Sequence, residues 1–140
     1  MRRPDVTQTM DRRPVLVQHF DGEYDCVSRA RDTAAVFLED LEGIRPPSAP
    51  ERPYDVLLVV SELAANTFCY APGPFTLTMR DTGEEIHVAL RDSSIDLPRP
   101  RRVNLSAGSG IGWYLINTLA LEAFSVREPD GKSVHVFLPW

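Results

Sequence analysis

Residues 54 to 69, YDVLLVVSELAANTFC, constrain this chain more than any other stretch. Val56, Leu57, Leu58, Val59, Val60, Leu63, Ala64 and Ala65 make a helix that is apolar nearly all round, so it must be covered on most sides. Glu62 and Asn66 interrupt it four residues apart, on one face, about 6 Å along the axis. Burying a carboxylate or an amide without a partner costs several kcal/mol, so both side chains require an explanation.

The flanking segments supply the cover. VLVQHF at Val15–Phe20 suits a short strand ended by Asp21 and Gly22. Asp25 is placed to cap a helix with its stripe on Val27, Ala30, Ala34, Phe37, Leu38 and Leu41, which Gly43 is expected to stop. IRPPSAPERP then reads as an irregular loop, because Pro46, Pro47, Pro50 and Pro53 cannot sit inside a helix or a sheet ladder. Phe75, Leu77 and Met79 alternate with Thr76, Thr78 and Arg80 up to the turn at residues 81–84, and Ile86, Val88 and Leu90 alternate with His87, Ala89 and Arg91 beyond it. These make one hairpin. Phe124 and Val126, the turn Pro129-Asp130-Gly131, and Val134, Val136 and Leu138 make a second. Between the hairpins, Ser93 to Gly108 reads as a lid-like loop, followed by a third helix from about Gly112 to Leu121. The expected fold class is an α/β (α+β) two-layer sandwich, a mostly antiparallel mixed sheet with three helices on one face.

With 140 residues the chain suits one core, read here as a flexible tail at residues 1–13 and a domain at residues 14–140. Apolar residues at 43% and charged residues at 25% are ordinary globular usage, which disfavours a disordered or fibrous chain. A net charge of -5 gives no general attraction to phosphate backbones, so no direct nucleic-acid binding is expected. MRRPDVTQTMDRRP lacks the apolar stretch of a signal peptide, and no run approaches the ~20 apolar residues of a membrane span. No membrane partner is expected. Cys26 and Cys69 form no CxxC pair and lie in apolar helical segments, so both read as buried free thiols, consistent with a cytoplasmic location.

Three features can carry chemistry. Glu62 and Asn66 either hydrogen-bond to loops and fix the helix, which spacing alone favours, or face a polar cavity. There a carboxylate can act as general base and an amide oxygen can bind Mg²⁺. Asp92, at the end of a strand, is either a turn-forming residue or an acceptor for a nucleobase amino group. Gly108-Ser109-Gly110-Ile111-Gly112 opens a helix, where backbone N–H groups and the helix dipole suit an anion, although a hinge fits equally well. The run is neither a P-loop nor a good dinucleotide-binding fingerprint.

In order along the chain, Glu62-Leu63-Ala64-Ala65-Asn66, Leu90-Arg91-Asp92, a lid, Gly110-Ile111-Gly112-Trp113-Tyr114-Leu115 and Gly131-Lys132-Ser133 resemble the GHKL ATPases, whose fold is the Bergerat fold. The run VSELAANTFCYAPGP and the ending SVREPDGKSVHVFLPW look more like the stand-alone anti-sigma factors of actinobacteria. The resemblance spans roughly Val15 to Leu138. It implies ATP and Mg²⁺ as cofactors, with Glu62 as the base that activates a serine hydroxyl and Asn66 as the metal ligand. It further implies Asp92 on the adenine amino group, Gly108, Gly110 and Gly112 on the phosphates with Trp113 beside them, and Ser133 near the adenine and its water. The implied reaction phosphorylates a serine of an anti-anti-sigma (STAS-type) protein, and the implied second partner is a sigma factor. The resemblance also allows a homodimer.

The chain departs from the family pattern in places. Asp92-Ser93-Ser94-Ile95-Asp96 lacks glycines, Cys69 and Tyr70 stand where relatives often carry a basic residue or His, and Trp113 replaces a Leu. The alternative is therefore a kinase-inactive nucleotide-binding module, or one that regulates by protein contact alone. His19, His87 and His135 read as surface or edge residues of strands. Arg99, Arg101 and Arg102 read equally as solvated side chains or as groups that steer phosphates or an acidic partner. Trp140 reads as packing or as a free terminus.

Overall fold

The computed structural model describes residues 13–93 and 111–140. The basic tail up to residue 12, most of the lid-like loop, Gly108, Gly110 and the arginines at 99, 101 and 102 lie outside the described residues.

Alternating residues build five strands: β1 (Val15–Phe20), β2 (Phe75–Asp81), β3 (Glu85–Asp92), β4 (Glu122–Glu128) and β5 (Gly131–Pro139). They form one sheet in the order β1-β2-β3-β5-β4, and every neighbouring pair is antiparallel. The last strand thus enters beside β3, and β4 takes the edge. Three helices, α1 (Cys26–Ile44), α2 (Arg52–Tyr70) and α3 (Ile111–Leu119), pack as a second layer, with α2 between α1 and α3 and against β3 and β5. This is the two-layer sandwich expected from the hydrophobic pattern.

The core fills the space between the layers. Leu77 and Met79 of β2, Ile86, Val88 and Leu90 of β3, and Val134, Val136 and Leu138 of β5 meet Leu38 and Leu41 of α1, Val56, Val59, Val60 and Leu63 of α2, and Ile116 of α3. Each such buried side chain contributes about 1.5–3 kcal/mol of hydrophobic stabilisation. The all-round apolar character of α2 follows from its central place, which leaves few positions for water.

Helix ends differ from the sequence expectation for local reasons. Gly43 does not stop α1. The helix runs to Ile44, and Arg45 turns extended (φ -142°) because Pro46 follows and excludes helical geometry before it. Asp25 is the residue preceding α1, but its carboxylate makes no capping hydrogen bond. α2 begins at Arg52 and holds Pro53 in its first turn, where a missing N–H costs no hydrogen bond. α3 ends at Leu119, and the N–H of Leu121 already donates to the carbonyl of Phe137 at 2.8 Å.

At one end of the sheet a clasp joins three segments. The Arg45 guanidinium pairs with the buried Asp81, with Nε donating to Oδ2 at 3.3 Å and Nη2 to Oδ1. Trp140 is buried and its indole N–H donates to the Arg45 carbonyl at 2.7 Å, which makes the C-terminal residue a packing element rather than a loose end. The two cysteines part company. Cys26 is buried, and burial raises its thiol pKa, whereas Cys69 is exposed because it falls on the outer side of the last turn of α2. His87 and His135 are also not at an edge. They stand half-buried on the central strands β3 and β5, on the side away from the helices.

Candidate functional site

The two polar interruptions of α2 lie against the start of α3. Gly112 approaches so closely that a side chain there would overlap Oε2 of Glu62 and lie 3.8 Å from Oδ1 of Asn66. Glu62 and Asn66 are both part-exposed, so neither points into a closed interior. Neither makes a side-chain hydrogen bond among the described residues. A carboxylate and an amide oxygen thus face the positive end of a helix over a glycine that leaves room. Oxygen donors of this kind suit a hard cation such as Mg²⁺. Trp113, next in the chain, packs against the hydrophobic core and fixes the first turn of α3.

Asp92 ends β3 on the side that faces the helices, the side of Leu90 and Val88. Its register partners are Phe75, which opens β2 soon after α2 ends, and Lys132, the second residue of β5. The Lys132 ammonium lies 2.9 Å from Asp92 Oδ2 and 3.2 Å from Oδ1, and the two side chains are only 7% and 1% exposed. Gly131 allows this approach: with φ of +154°, any side chain there would overlap the Asp92 carbonyl oxygen and lie 2.8 Å from Ser93 Cα. Nearby, Gly73 comes within 3.9 Å of Ser93 Oγ, measured from the position a Cβ would take. The turn after α2 therefore closes over the same end of the sheet.

Ser133 lies elsewhere. Strand alternation turns it to the opposite side of β5, where its hydroxyl donates to Glu128 Oε1 at 2.7 Å and lies 2.9 Å from His135 Nε2. Lys132, one residue earlier, is the side chain that shares a face with Asp92. Reading alternation back from Val134 and Val136 would have identified Lys132.

The outer side of the sheet carries a chain of polar contacts. Arg91 Nε donates to Glu128 Oε2 at 3.0 Å, Ser133 donates to the other oxygen of that carboxylate, and His135 lies 2.9 Å from His87. Hydrogen bonds from Ser133 and Arg91 hold the Glu128 carboxyl below its usual pKa. Since Ser133 gives its proton to Glu128, it accepts from His135 Nε2–H. His135 Nδ1 then accepts from His87 Nε2–H, which sets the His135 ring neutral. Burial, then the charges of His135 and Arg80, push His87 down to about 4, and burial lowers His135 as well. Phe124 and Phe137 stack on these rings. Among the described residues no group of three or more His, Cys, Asp or Glu is arranged to hold a metal ion. None of the described helices is long and apolar enough to cross a membrane.

Comparison with known proteins bears on the fold and the family. The fold matches a crystal structure of the RsbU and RsbW domains of Rv1364c from Mycobacterium tuberculosis with a TM-score of 0.61 over 90% of this chain, at 14% identity. This chain spans about a third of that one, 32%. A histidine kinase domain from the Erythrobacter litoralis EL346 blue-light activated histidine kinase aligns with a TM-score of 0.48 and 20% identity, over 79% of this chain and 60% of the other. No curated protein matches the sequence. The family profile described as "Histidine kinase-like ATPase domain" matches residues 20–137. It takes in α2, the strand end at Asp92, the start of α3 and the β5 entry, and the chain belongs to that family.

Proposed function

We propose that this chain binds ATP with Mg²⁺ and is an anti-sigma factor with serine-protein kinase activity toward an anti-anti-sigma partner. The observation that carries the reading is the seating of Gly112, at the start of α3, over Glu62 and Asn66. It brings a base, a metal-binding oxygen and a helix N-terminus to one place, and phosphoryl transfer needs little else from a protein beyond positioning.

In this reading Asp92 accepts a hydrogen bond from the base amino group, while Gly112 and the glycines before it present backbone N–H groups to the phosphates. Glu62 takes the proton from the partner's serine hydroxyl. The serine oxygen bonds to the γ-phosphorus as the bond from that phosphorus to the β,γ-bridging oxygen breaks, and ADP leaves. Asn66 would hold Mg²⁺, which supplies charge neutralisation on the phosphates. The aromatic side chains of Phe68, Tyr70 and Tyr114 are exposed on α2 and α3, and such groups are enriched where proteins meet, which supports capture of a sigma factor by the helical layer. Such a regulator works in the cytoplasm.

Transfer of label from γ-labelled ATP to a STAS-type protein tests the reading. Glu62→Gln should lower that transfer by about 10²–10⁴-fold while nucleotide binding persists. Partner capture with no transfer by the native chain would instead favour the purely regulatory module.

A further inference from the structure

Lys132 has no task in the phosphoryl transfer above, yet it sits on the carboxylate assigned to the base. The two residues are direct register partners, buried on the same side of the sheet, with the ammonium bridging both carboxylate oxygens at 2.9 and 3.2 Å. A buried ammonium is unfavourable without its carboxylate, so the two charges are held as a unit.

A lone carboxylate only accepts hydrogen bonds, so it welcomes the 6-amino group of adenine and repels the 6-carbonyl of guanine or hypoxanthine. An ammonium carries three protons and no acceptor. Two contacts to Asp92 leave it a proton to donate elsewhere. Placed side by side, the pair offers an acceptor and a donor to the edge of a purine. Adenine can donate from N6 to Asp92 and accept at N1 from Lys132. A 6-oxo purine can donate from N1 to Asp92 and accept at O6 from the same ammonium, whose positive charge removes the repulsion the carbonyl would otherwise meet.

We infer that Lys132 makes this subsite accept 6-oxo purine nucleotides as well as 6-amino ones. The inference rests on the nucleotide-binding reading and adds the base selectivity. A flexible four-carbon stem with a point charge suits such dual use better than a planar guanidinium would.

Calorimetric titration of the full chain with ATP, GTP and ITP, each with Mg²⁺, tests it. The native chain should bind GTP and ITP within roughly tenfold of ATP. Lys132→Thr should widen the gap to roughly 100-fold, as expected when one well-aimed base contact is lost. A native chain that binds ATP but disfavours both 6-oxo nucleotides by more than roughly 100-fold overturns this inference alone, and so does an unchanged ratio in the variant. A native chain that binds no nucleotide overturns it together with the function proposed above. The native ratio decides the matter even if the variant fails to fold.

Discussion

Asp81 and Asp92 stand at opposite ends of the same side of the sheet, and each carboxylate is held by a cation. Asp81 meets the fork of Arg45 and also accepts the N–H of Gly83 at 2.8 Å, while the Arg45 carbonyl accepts from Trp140. The two contacts of Arg45 there each join distant parts of the chain. Burial alone would raise the Asp81 carboxyl, but the Arg45 and Gly83 bonds outweigh it and hold the pKa below the usual value. Asp92 meets the single ammonium of Lys132 instead, beside the turn that follows α2 and close to the start of β5. A planar two-pronged donor locks geometry, whereas a point charge on a flexible stem can share itself with a ligand. The same ion-pair chemistry therefore closes the fold at one end and, in the function proposed above, holds the base-binding carboxylate at the other.

Arg45→Met offers the hardest test of that division. It should cost about 3 kcal/mol in urea unfolding, at the low end for breaking a buried pair because Arg45 is itself partly exposed. Nucleotide affinity should not change, and a loss of affinity equal to that of a site variant would erase the distinction between the two ends.

Gly131→Ala comes next. A left-handed φ with a side chain costs about 2 kcal/mol, and the overlap with the Asp92 carbonyl must push the end of β3 aside. Nucleotide affinity should fall along with stability. Retained affinity would show that the end of β3 takes no part in binding.

Acid titration gives an effect that vanishes near neutrality and so ranks last. His87, depressed from 6.5 to about 4, binds fewer protons folded than unfolded between those values, and the lowered His135 acts in the same direction. Stability is thus complete above pH 6.5 and declines as pH falls toward 4. The depressed Asp81 adds its own loss only below the unfolded carboxyl value of about 3.9. The urea midpoint should drift downward in the first window, and His87→Phe, which keeps the stack on Phe137, should remove most of that drift. The acid window of the depressed carboxylates Asp81 and Glu128 would then remain, and comparison with an Arg45→Met chain isolates the Asp81 part. A drift that survives in His87→Phe would locate the titrating groups elsewhere.

The sheet was legible because two-residue alternation in Phe75–Met79, Ile86–Leu90 and Val134–Leu138 leaves one choice of inward face. α2 was legible because few other structures accommodate so apolar a stretch. Glu62, Asn66 and Gly112 could be named as polar or glycine interruptions of helices, but their meeting across α2 and α3 could not. Lys132 as the neighbour of Asp92 was missed because the Gly131-Lys132-Ser133 motif was read as letters, without its strand parity. The exposure of Cys69 and the stacked histidines were missed for a related reason: neighbours on other elements decide how much of a side chain water can reach.

What the sequence determined by itself is local. Hydrophobic period, proline and glycine fix which segments become strands and helices, because those signals act over a few residues of chain. What only the tertiary structure decided is which polar groups share a space. The insertion of β5 beside β3 pairs Lys132 with Asp92, and the packing of α3 on α2 sets Gly112 over Glu62. Both contacts join residues distant in sequence, where electrostatics and packing depend on distance in space and leave no periodic trace in the chain.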